Sequence, residues 1–497
     1  MSEVIDKPII GTLDLILDNA GFSDAEASVA SVIPYSSIGQ GVASCYASRL
    51  KTALAILLAN GNGQLGKQDV QSAVDKIDLI LNEQIDCIIK HENFKNLERN
   101  WRAVESLATN INDSSTKLSI LHATKDEISD DFDGNSVEIM SSDLFQQIYV
   151  NEYDQFGGEP FGSIIGLYSF DRSPDDIEWL TTMGKVAAAA HAPFIAAINP
   201  SFFGEQEFSS LRDIKDVNGL MKHPKYNRWN AFRKSRSAAY IGLTMPNYMI
   251  RAPYDPENNP VGKGSISTFK ESIDFSAPHK SCLWGSAAIP FAVNLFKSFE
   301  VSGWCQSICG VNSGGLVEDL PIFSYSRREG EGYVLPTDFL IPDHKEYALA
   351  EAGFIPFVYE KKTSNACFFS AQSVKISEVF EDNNDSENSQ LITKLPYTFT
   401  MGRIAHYVKC YTRDVIGSEA DATIINDSLT NWISEYITVT PNPTPLTRQY
   451  YPFKAASIEV SKTEGMVGWY SCQITVLPHI KFEGMNVTMK IDTRLMN

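Results

Sequence analysis

The side chains most capable of chemistry are eight histidines and eight cysteines, and their spacing forms no recognisable metal-binding or nucleophilic motif. Cys305 and Cys309 are separated by three residues, and no CxxC or HxxxH pair accompanies them. A structural metal site needs about four ligands, so buried packing explains this pair better. So few cysteines in so long a chain predict reduced thiols rather than a disulfide framework. We therefore expect no metal site.

Two glycine-containing segments match nucleotide-binding motifs only in part. Gly61, Gly63 and Gly66 have the GxGxxG spacing, but the preceding ALAILLA is typical of a helix, whereas the dinucleotide motif follows a strand. The Gly262-Lys263 pair is followed by glycine and lacks the upstream glycine of a phosphate-binding loop. The sequence therefore predicts no cofactor, and Gly61–Gly66 is interpreted as a helix end and linker.

Three scattered residues keep an enzymatic hypothesis open. His191 follows four alanines, His406 lies in the apolar RIAHY segment, and Glu318 follows a glycine-rich turn. A single histidine on an apolar face is more often a hydrogen-bonded structural residue than a catalytic base, and no serine lies in a GxSxG motif. The alternatives are a cytoplasmic α/β enzyme of unknown substrate that uses these residues, or a monomeric binding scaffold.

Charge and composition restrict the possible partners. The chain has 497 residues, with 42 basic and 61 acidic side chains and a net charge of −19, which disfavours nucleic acid and anionic membranes as partners. Its longest apolar run, residues 186–198, is interrupted by His191 and Pro193 and is shorter than the roughly 18 residues of a membrane span. The acidic start also differs from a signal peptide. We expect a cytoplasmic protein with no direct membrane insertion.

Periodicity predicts a multi-domain α/β (mixed α+β) fold. Residues 68–109 have helical spacing with one broad buried face. Strands are expected at Lys117–His122, Ser163–Tyr168 and Phe194–Ile198, and Ser173-Pro174 begins a helix that ends near His191. The polar segment Glu378–Gln390 is interpreted as an exposed loop. The expected domains are an N-terminal arm at 1–66, a helical segment at 67–115, a central α/β region at 116–390 and a C-terminal domain at 391–497.

Both ends of the chain have features of interaction segments. Leu13–Phe22 is expected to be a recognition helix on the N-terminal arm. Near the C-terminus, Ser457–Val460, Tyr470–Val476 and Asn486–Asp492 alternate as strands do. The last of them is expected to pair with strands of other subunits, since a terminal strand leaves its own domain at little entropic cost. The candidate intersubunit residues are Val487, Thr488, Met489 and Ile491.

Between residues 75 and 495, a series of short motifs occurs in a fixed order. The residues that carry them are Phe94, Leu97, Glu98, Trp101 and Arg102 in one helix, the FGGEPFG run from Phe156, the VAAAAHAPFIA run from Val186, Gly242 in AYIGL, Trp284 and Gly285 in LWGSAA, Gly314 and Gly315 in GGLVE, and Arg403 and His406 in RIAHY. This series resembles the large subunit of the type VI secretion contractile sheath, the TssC or VipB family. Ala103 and Ser313 stand where that family has glycine.

The resemblance implies a structural protein and no enzymatic activity. A contractile phage-tail-sheath-like fold with an extended N-terminal arm and C-terminal β-strands is implied. Such a subunit pairs with a small sheath subunit of the TssB or VipA type, polymerises around an inner tube above a baseplate, and contracts to propel the tube and its effectors. A ClpV-type AAA+ unfoldase recycles it. Under this reading Arg403, His406 and Tyr407 are structural.

Overall fold

The computed structural model describes residues 67–257, 259–261, 269–327, 330–378, 383–415, 422–438, 440, 442–462, 469–479 and 489–496. The expected N-terminal arm, with the Leu13–Phe22 helix and the Gly61–Gly66 linker, lies outside these residues, as do Val487 and Thr488. The chain divides into two compact units, Met1–Leu97 with Pro253–Ser281, and Glu98–Ala252 with Cys282–Asn497. Within the described residues, no helix is both long and apolar enough to cross a membrane.

Helices and strands alternate along most of the second unit, as the α/β expectation requires. The α-helices are α1 (Lys67–Lys90), α2 (Glu92–Thr109), α3 (Lys125–Gly134), α4 (Asp143–Phe145), α5 (Pro174–Ala190), α6 (Val217–Met221), α7 (Asn227–Arg233), α8 (Ala288–Ser302), α9 (Asp343–Glu351), α10 (Asn383–Ile392), α11 (Leu395–Val415), α12 (Ala422–Ser434) and α13 (Pro445–Tyr450). A π-helix, Gln146–Tyr153, follows α4. The strands are β1 (Ile164–Phe170), β2 (Phe194–Ile198), β3 (Ile241–Met245), β4 (Tyr248–Arg251), β5 (Leu283–Gly285), β6 (Leu316–Val317), β7 (Phe323–Arg327), β8 (Gly330–Val334), β9 (Ile355–Tyr359), β10 (Ala366–Phe368), β11 (Phe453–Lys462), β12 (Trp469–Pro478) and β13 (Met489–Met496).

A six-stranded sheet with the order β1-β2-β3-β9-β10-β6 is the centre of the second unit. The first four strands are parallel, and β10 and β6 add antiparallel pairs. Successive residues of β2 point into different cores, since Phe194 and Ala196 belong to one and Ile195 to the other. Both faces are thus covered, which explains why β2 is apolar throughout. The predicted strands at Ser163–Tyr168 and Phe194–Ile198 are confirmed.

The helix between these two strands begins and ends as predicted. The Ser173 side chain accepts a hydrogen bond from the backbone N–H of Asp176, and Pro174 occupies the first turn. His191 ends the helix with a left-handed backbone (φ 52°). Its N–H then reaches carbonyl oxygens of the last turn, so α5 stops before Pro193.

A third core lies in the C-terminal region, where α11 and α12 pack on a three-stranded antiparallel sheet with the order β11-β12-β13. The three predicted strands are present, and the last, β13, spans Met489–Met496, whereas residues 486–488 of the predicted strand lie outside the described residues. It pairs with β12 of the same chain, with Met489 opposite Val476 and Ile491 opposite Ile474. The longer strand follows from this pairing, which continues to Trp469 opposite Met496.

Three local predictions were wrong. The segment 117–122 belongs to no strand, because its backbone forms no ladder with β1 or any other described strand. Helices α1 and α2 confirm the helical prediction for 68–109, but they are separated at His91, and the expected burial of the apolar face was wrong at Leu97 and Trp101, which are 55% and 66% exposed. Helical spacing identifies an apolar face but not what covers it. Part of the expected 378–390 loop forms α10.

Candidate functional site

The structure brings His191 and His406 together, at the contact between the C-terminal end of α5 and the middle of α11. Their ring centroids lie 6.2 Å apart. His406 Nε2 donates to the carbonyl oxygen of Ala190 over 2.8 Å, and His191 Nδ1 lies 3.1 Å from the hydroxyl of Tyr240. Glu318, the third residue of the enzymatic hypothesis, lies exposed just after β6.

A glycine allows α11 to approach the end of α5 this closely. A Cβ atom at Gly402 would lie 2.6 Å from the carbonyl oxygen of His191. Gly402 lies one helical turn before His406, so the same face of α11 carries both contacts. Gly402 and His406 lie more than 200 residues after His191, so no short motif connects them. The three residues meet only because α5 and α11 pack together.

The neighbours of the histidine pair are aromatic and basic. Tyr153, at the end of the π-helix, packs against His406 with ring centroids 5.0 Å apart. Lys409 Nζ lies 4.1 Å from the Tyr153 ring centroid and pairs with Asp154 over 2.7 Å. Arg413 donates to the carbonyl oxygens of Tyr153 and Gln155. No sequence motif indicated these residues, although Lys409 and Arg413 have i, i+4 spacing on a largely apolar helix.

Burial dominates the electrostatics of this cluster. It lowers the pKa of His191 to about 4 and that of His406 to about 4, with a further contribution from nearby positive charge. Burial also raises the pKa of Tyr153. A general base works best with a pKa near the operating pH, whereas both histidines are neutral at pH 7 and hold structural contacts. The arrangement fits a joint between helices better than a catalytic pair.

This joint predicts a stability that falls on acidification. Because both histidine pKa values are lower than the usual 6.5, the folded protein binds fewer protons than the unfolded chain, so stability is complete above about pH 6.5 and is lost towards pH 4. We expect the free energy of unfolding, measured with urea, to fall by about 2 kcal/mol per histidine between pH 7 and pH 5. His406→Gln should flatten this dependence, and the exposed His344→Gln should not. The same pH dependence of the free energy of unfolding in the unsubstituted protein, His406→Gln and His344→Gln would contradict this account.

A buried ion cluster joins α2 to β4. Both Glu98 carboxylate oxygens bind Arg251, at 2.7 Å to Nε and 3.1 Å to Nη2, and Arg102 Nε lies 2.8 Å from Glu98 Oε1. The Arg251 side chain is only 5% exposed. Burial alone would raise the pKa of Glu98, but the hydrogen bonds and charge of Arg251, then of Arg102, outweigh it and lower the pKa. The sequence indicated Glu98 and Arg102 but not their partner Arg251.

Arg403, three residues before His406 on α11, contacts aromatic side chains rather than a carboxylate. Its guanidinium stacks over Trp304 at 5.1 Å and over Phe299 at 4.9 Å. Trp304 is fully buried and packs edge-on against Phe453 of β11. Arg403 therefore has a packing role within the third core. Tyr407 stacks almost parallel on Trp432, with ring centroids 3.7 Å apart.

The glycines of the motif series are required by close approach. A Cβ atom at Gly242 would lie 2.7 Å from Ile195 Cδ1, and one at Gly285 would lie 2.2 Å from Ile250 Cδ1. Gly314 has φ +87° and would place a Cβ atom 2.1 Å from the Ser307 carbonyl oxygen. At Gly315, a Cβ atom would lie 2.4 Å from the carbonyl oxygen of Phe368.

Trp284 and the two cysteines Cys305 and Cys309 also have packing roles. Trp284 is half-buried, and its carbonyl oxygen accepts a hydrogen bond from Arg99 Nε over 2.7 Å. Burial raises the pKa of Cys305 and of Cys309 to about 12, so both thiols stay protonated. Within the part of the chain that the structure describes, no group of three or more His, Cys, Asp or Glu residues could hold a metal ion.

Comparison with known proteins identifies the family to which these motifs belong. Residues 71–375 match the family model described as EvpB/VC_A0108, tail sheath N-terminal domain. Residues 384–495 match the model described as EvpB/VC_A0108, tail sheath gpW/gp25-like domain. The chain is also 35% identical over 434 residues, or 86% of each chain, to the type VI secretion system sheath protein TssC1 of Pseudomonas aeruginosa. The chain therefore belongs to the TssC/VipB family of type VI secretion tail sheath proteins.

Proposed function

We propose that this chain is the large subunit of a cytoplasmic contractile sheath. It pairs with a small sheath subunit of the TssB or VipA type, polymerises with further copies around an inner tube, and contracts from a baseplate to propel the tube and its effectors. A ClpV-type AAA+ unfoldase recycles the contracted sheath, with Leu13–Phe22 as its recognition segment. The similarity to TssC1 over 86% of the chain carries this proposal.

Co-expression tests it directly. The chain and the small sheath subunit should form a stable complex that assembles into tubes visible by negative-stain electron microscopy. The chain expressed alone should form no tubes and provides the control. A protein that stays monomeric in the presence of the small subunit would contradict the proposed function.

The exposed face of α2 supports the pairing step. Phe94, Leu97 and Trp101 recur at i, i+3 and i+7 and are 37%, 55% and 66% exposed. Large apolar side chains at this spacing form a stripe on one side of a helix. Exposed apolar surface of this kind is typical of protein–protein contacts. We assign this stripe to the contact with the small subunit.

Substitution of Trp101 should separate binding from folding. Trp101→Glu places a charge on the stripe, so we expect affinity for the small subunit to fall by about 100-fold, as loss of an aromatic interface residue commonly does. The thermal unfolding midpoint should hardly change because the side chain is exposed. Trp101→Phe is the matched control and should retain most binding. Unchanged co-purification of the glutamate variant would remove α2 from the interface.

The outer edge of β13 supports the polymerisation step. Among the described strands, β13 pairs only with β12 and lies at an edge of its sheet. An edge strand offers unpaired N–H and C=O groups to a strand of another chain. Met489 and Ile491 would take part through their backbones, and Val487 and Thr488 precede them in the sequence.

A proline at position 488 tests this edge. Thr488→Pro removes one backbone donor next to β13, so the complex with the small subunit should remain soluble while long tubes fail to form. Val487→Ile keeps strand propensity and should be tolerated. The measurement is tube length by electron microscopy beside the mass of the soluble complex. Tubes of normal length from the proline variant would rule out this strand as a link between subunits.

A further inference from the structure

The segment Lys117–His122, here called the edge run, lies beside β1, the strand at one end of the six-stranded sheet. At its start, Lys117 forms an ion pair with Glu159, which precedes β1. Just beyond its end, the carbonyl oxygen of Ala123 accepts a hydrogen bond from the hydroxyl of Tyr168 in β1 over 2.6 Å. The edge run therefore follows β1 in the same direction.

Its side chains alternate as those of a strand in the plane of the sheet do. Leu118 packs against the core that contains Ile195, whereas Ala123 packs against the core that contains Phe194. These cores lie on opposite faces of the sheet, and positions an odd number of residues apart on a strand point to opposite faces. Leu118 and Ala123 therefore point to opposite faces, as residues of this spacing on a strand would.

Its backbone is nevertheless unpaired within the described chain. No N–H or C=O group from Lys117 to His122 forms a backbone–backbone hydrogen bond with a described residue. Ile120 and Leu121, at neighbouring positions and so on opposite faces, are 65% and 52% exposed. The composition of the edge run predicted a strand. It therefore suits a segment whose backbone groups can still pair with another strand.

The charge next to the edge run indicates the chemistry of its partner. The following helix, α3, exposes Asp126, Asp130 and Asp133, and the whole chain has a net charge of −19. A partner segment with basic side chains at this end would be attracted and correctly aligned. Because Leu118 packs against a core and Ala123 binds Tyr168, part of the conformational entropy of the run is already lost before binding.

We propose that the edge run binds an extended segment of a second polypeptide, which adds to it as a β-strand. This segment has apolar residues on both of its faces, which cover Ile120 on one side and Leu121 on the other, and basic residues at the end next to α3. The proposal rests on the proposed function, since the second polypeptide is the small sheath subunit.

Hydrogen–deuterium exchange of the full chain, alone and assembled with the small sheath subunit, tests this inference. The amides of residues 117–122 should exchange at least about tenfold more slowly in the assembly than in the chain alone. Unchanged exchange in well-formed tubes would overturn the inference and leave the proposed function intact. Slow exchange in the chain alone would assign the pairing to β1 or to a second copy, and would also overturn it. Absence of any complex would refute the proposed function and this inference together.

Substitutions in the edge run and in α3 separate the contributions of backbone pairing, apolar contact and charge. Ile120→Pro removes a backbone donor and should abolish the added protection, whereas the matched Ile120→Val should retain it. Leu121→Ser keeps every donor and should weaken binding by about tenfold through lost apolar contact alone. Combined Asp126→Asn, Asp130→Asn and Asp133→Asn should weaken binding at low salt and have little effect at about 1 M salt, where charges are screened. If folded Ile120→Pro bound the small sheath subunit fully and kept the hydrogen-exchange protection of residues 117–122, the edge run would not pair as a β-strand.

Discussion

Glu98→Gln is expected to lower the free energy of unfolding by about 3 kcal/mol or more. The substitution removes the negative charge that faces Arg251 and Arg102. Arg251 is 5% exposed and binds both carboxylate oxygens, so its charge would lose the carboxylate that faces it while staying largely buried. Breaking a buried pair from one side commonly costs more than the pair contributes when intact. Urea unfolding of the variant at pH 7 measures the effect.

Two comparisons separate the buried charge from any other consequence of the change. Glu105→Gln, on an exposed position of the same helix, should change stability by less than about 0.5 kcal/mol. Adding Arg251→Met to Glu98→Gln should recover part of the loss, because the buried charge that had lost the Glu98 carboxylate is then removed. A loss below about 1 kcal/mol in the single variant would show that water reaches Arg251.

Protonation of Glu98 in the ion cluster should also lower the stability of the protein at acidic pH. The pKa of Glu98 is lowered, so the stability it provides is complete above its usual pKa of 4.5 and is lost as the pH falls through the lower folded value. Glu98→Gln should therefore remove part of the decline in stability below about pH 4.5. This range lies below the one in which His191 and His406 begin to act, so the two effects can be measured separately.

Gly315→Ala is expected to be at least as damaging, with a loss of about 3–5 kcal/mol. A Cβ atom at this position would lie 2.4 Å from the carbonyl oxygen of Phe368 and 2.5 Å from the backbone nitrogen of Gly310. Both are backbone atoms, which cannot rotate away. Relief of the overlap must break the hydrogen bonds of 2.8–2.9 Å that link Gly310, Gly315 and Phe368.

The damage should extend into the core, because the Phe368 ring is fully buried and stacks on Phe357 with ring centroids 4.5 Å apart. Gly162→Ala, where a Cβ atom has nothing within 4 Å, is the matched control and should be close to neutral. Gly310→Ala has free space but φ +81°, so it should lose only about 1 kcal/mol through backbone strain. Thermal unfolding of the three variants ranks these effects. Similar values for Gly315→Ala and Gly310→Ala would show that the loop moves to accept a side chain.

Local sequence signals predicted much of the secondary structure. The Ser173 cap, the proline after it and the stop at Pro193 determined α5, since these residues act on the backbone next to them. Alternation predicted the three C-terminal strands, and short segments that follow turn residues or a proline predicted β1 and β2. The motif series predicted the family, because an ordered set of many short matches rarely arises by chance. The secondary-structure predictions depended only on residues close together in the sequence, and the family prediction depended only on the order of the motifs.

The tertiary structure decided which surfaces find a partner within the chain. Helical spacing marked the apolar face of residues 68–109, yet Leu97 and Trp101 are exposed, because periodicity does not reveal what covers a face. Strand composition marked Lys117–His122, yet pairing needs a second backbone at hydrogen-bonding distance. His191 and His406 meet, and Glu98 finds Arg251, only because helices and strands distant in sequence pack together. The sequence by itself thus determined the local elements and the family, whereas long-range packing determined which of those elements are buried, paired or left exposed.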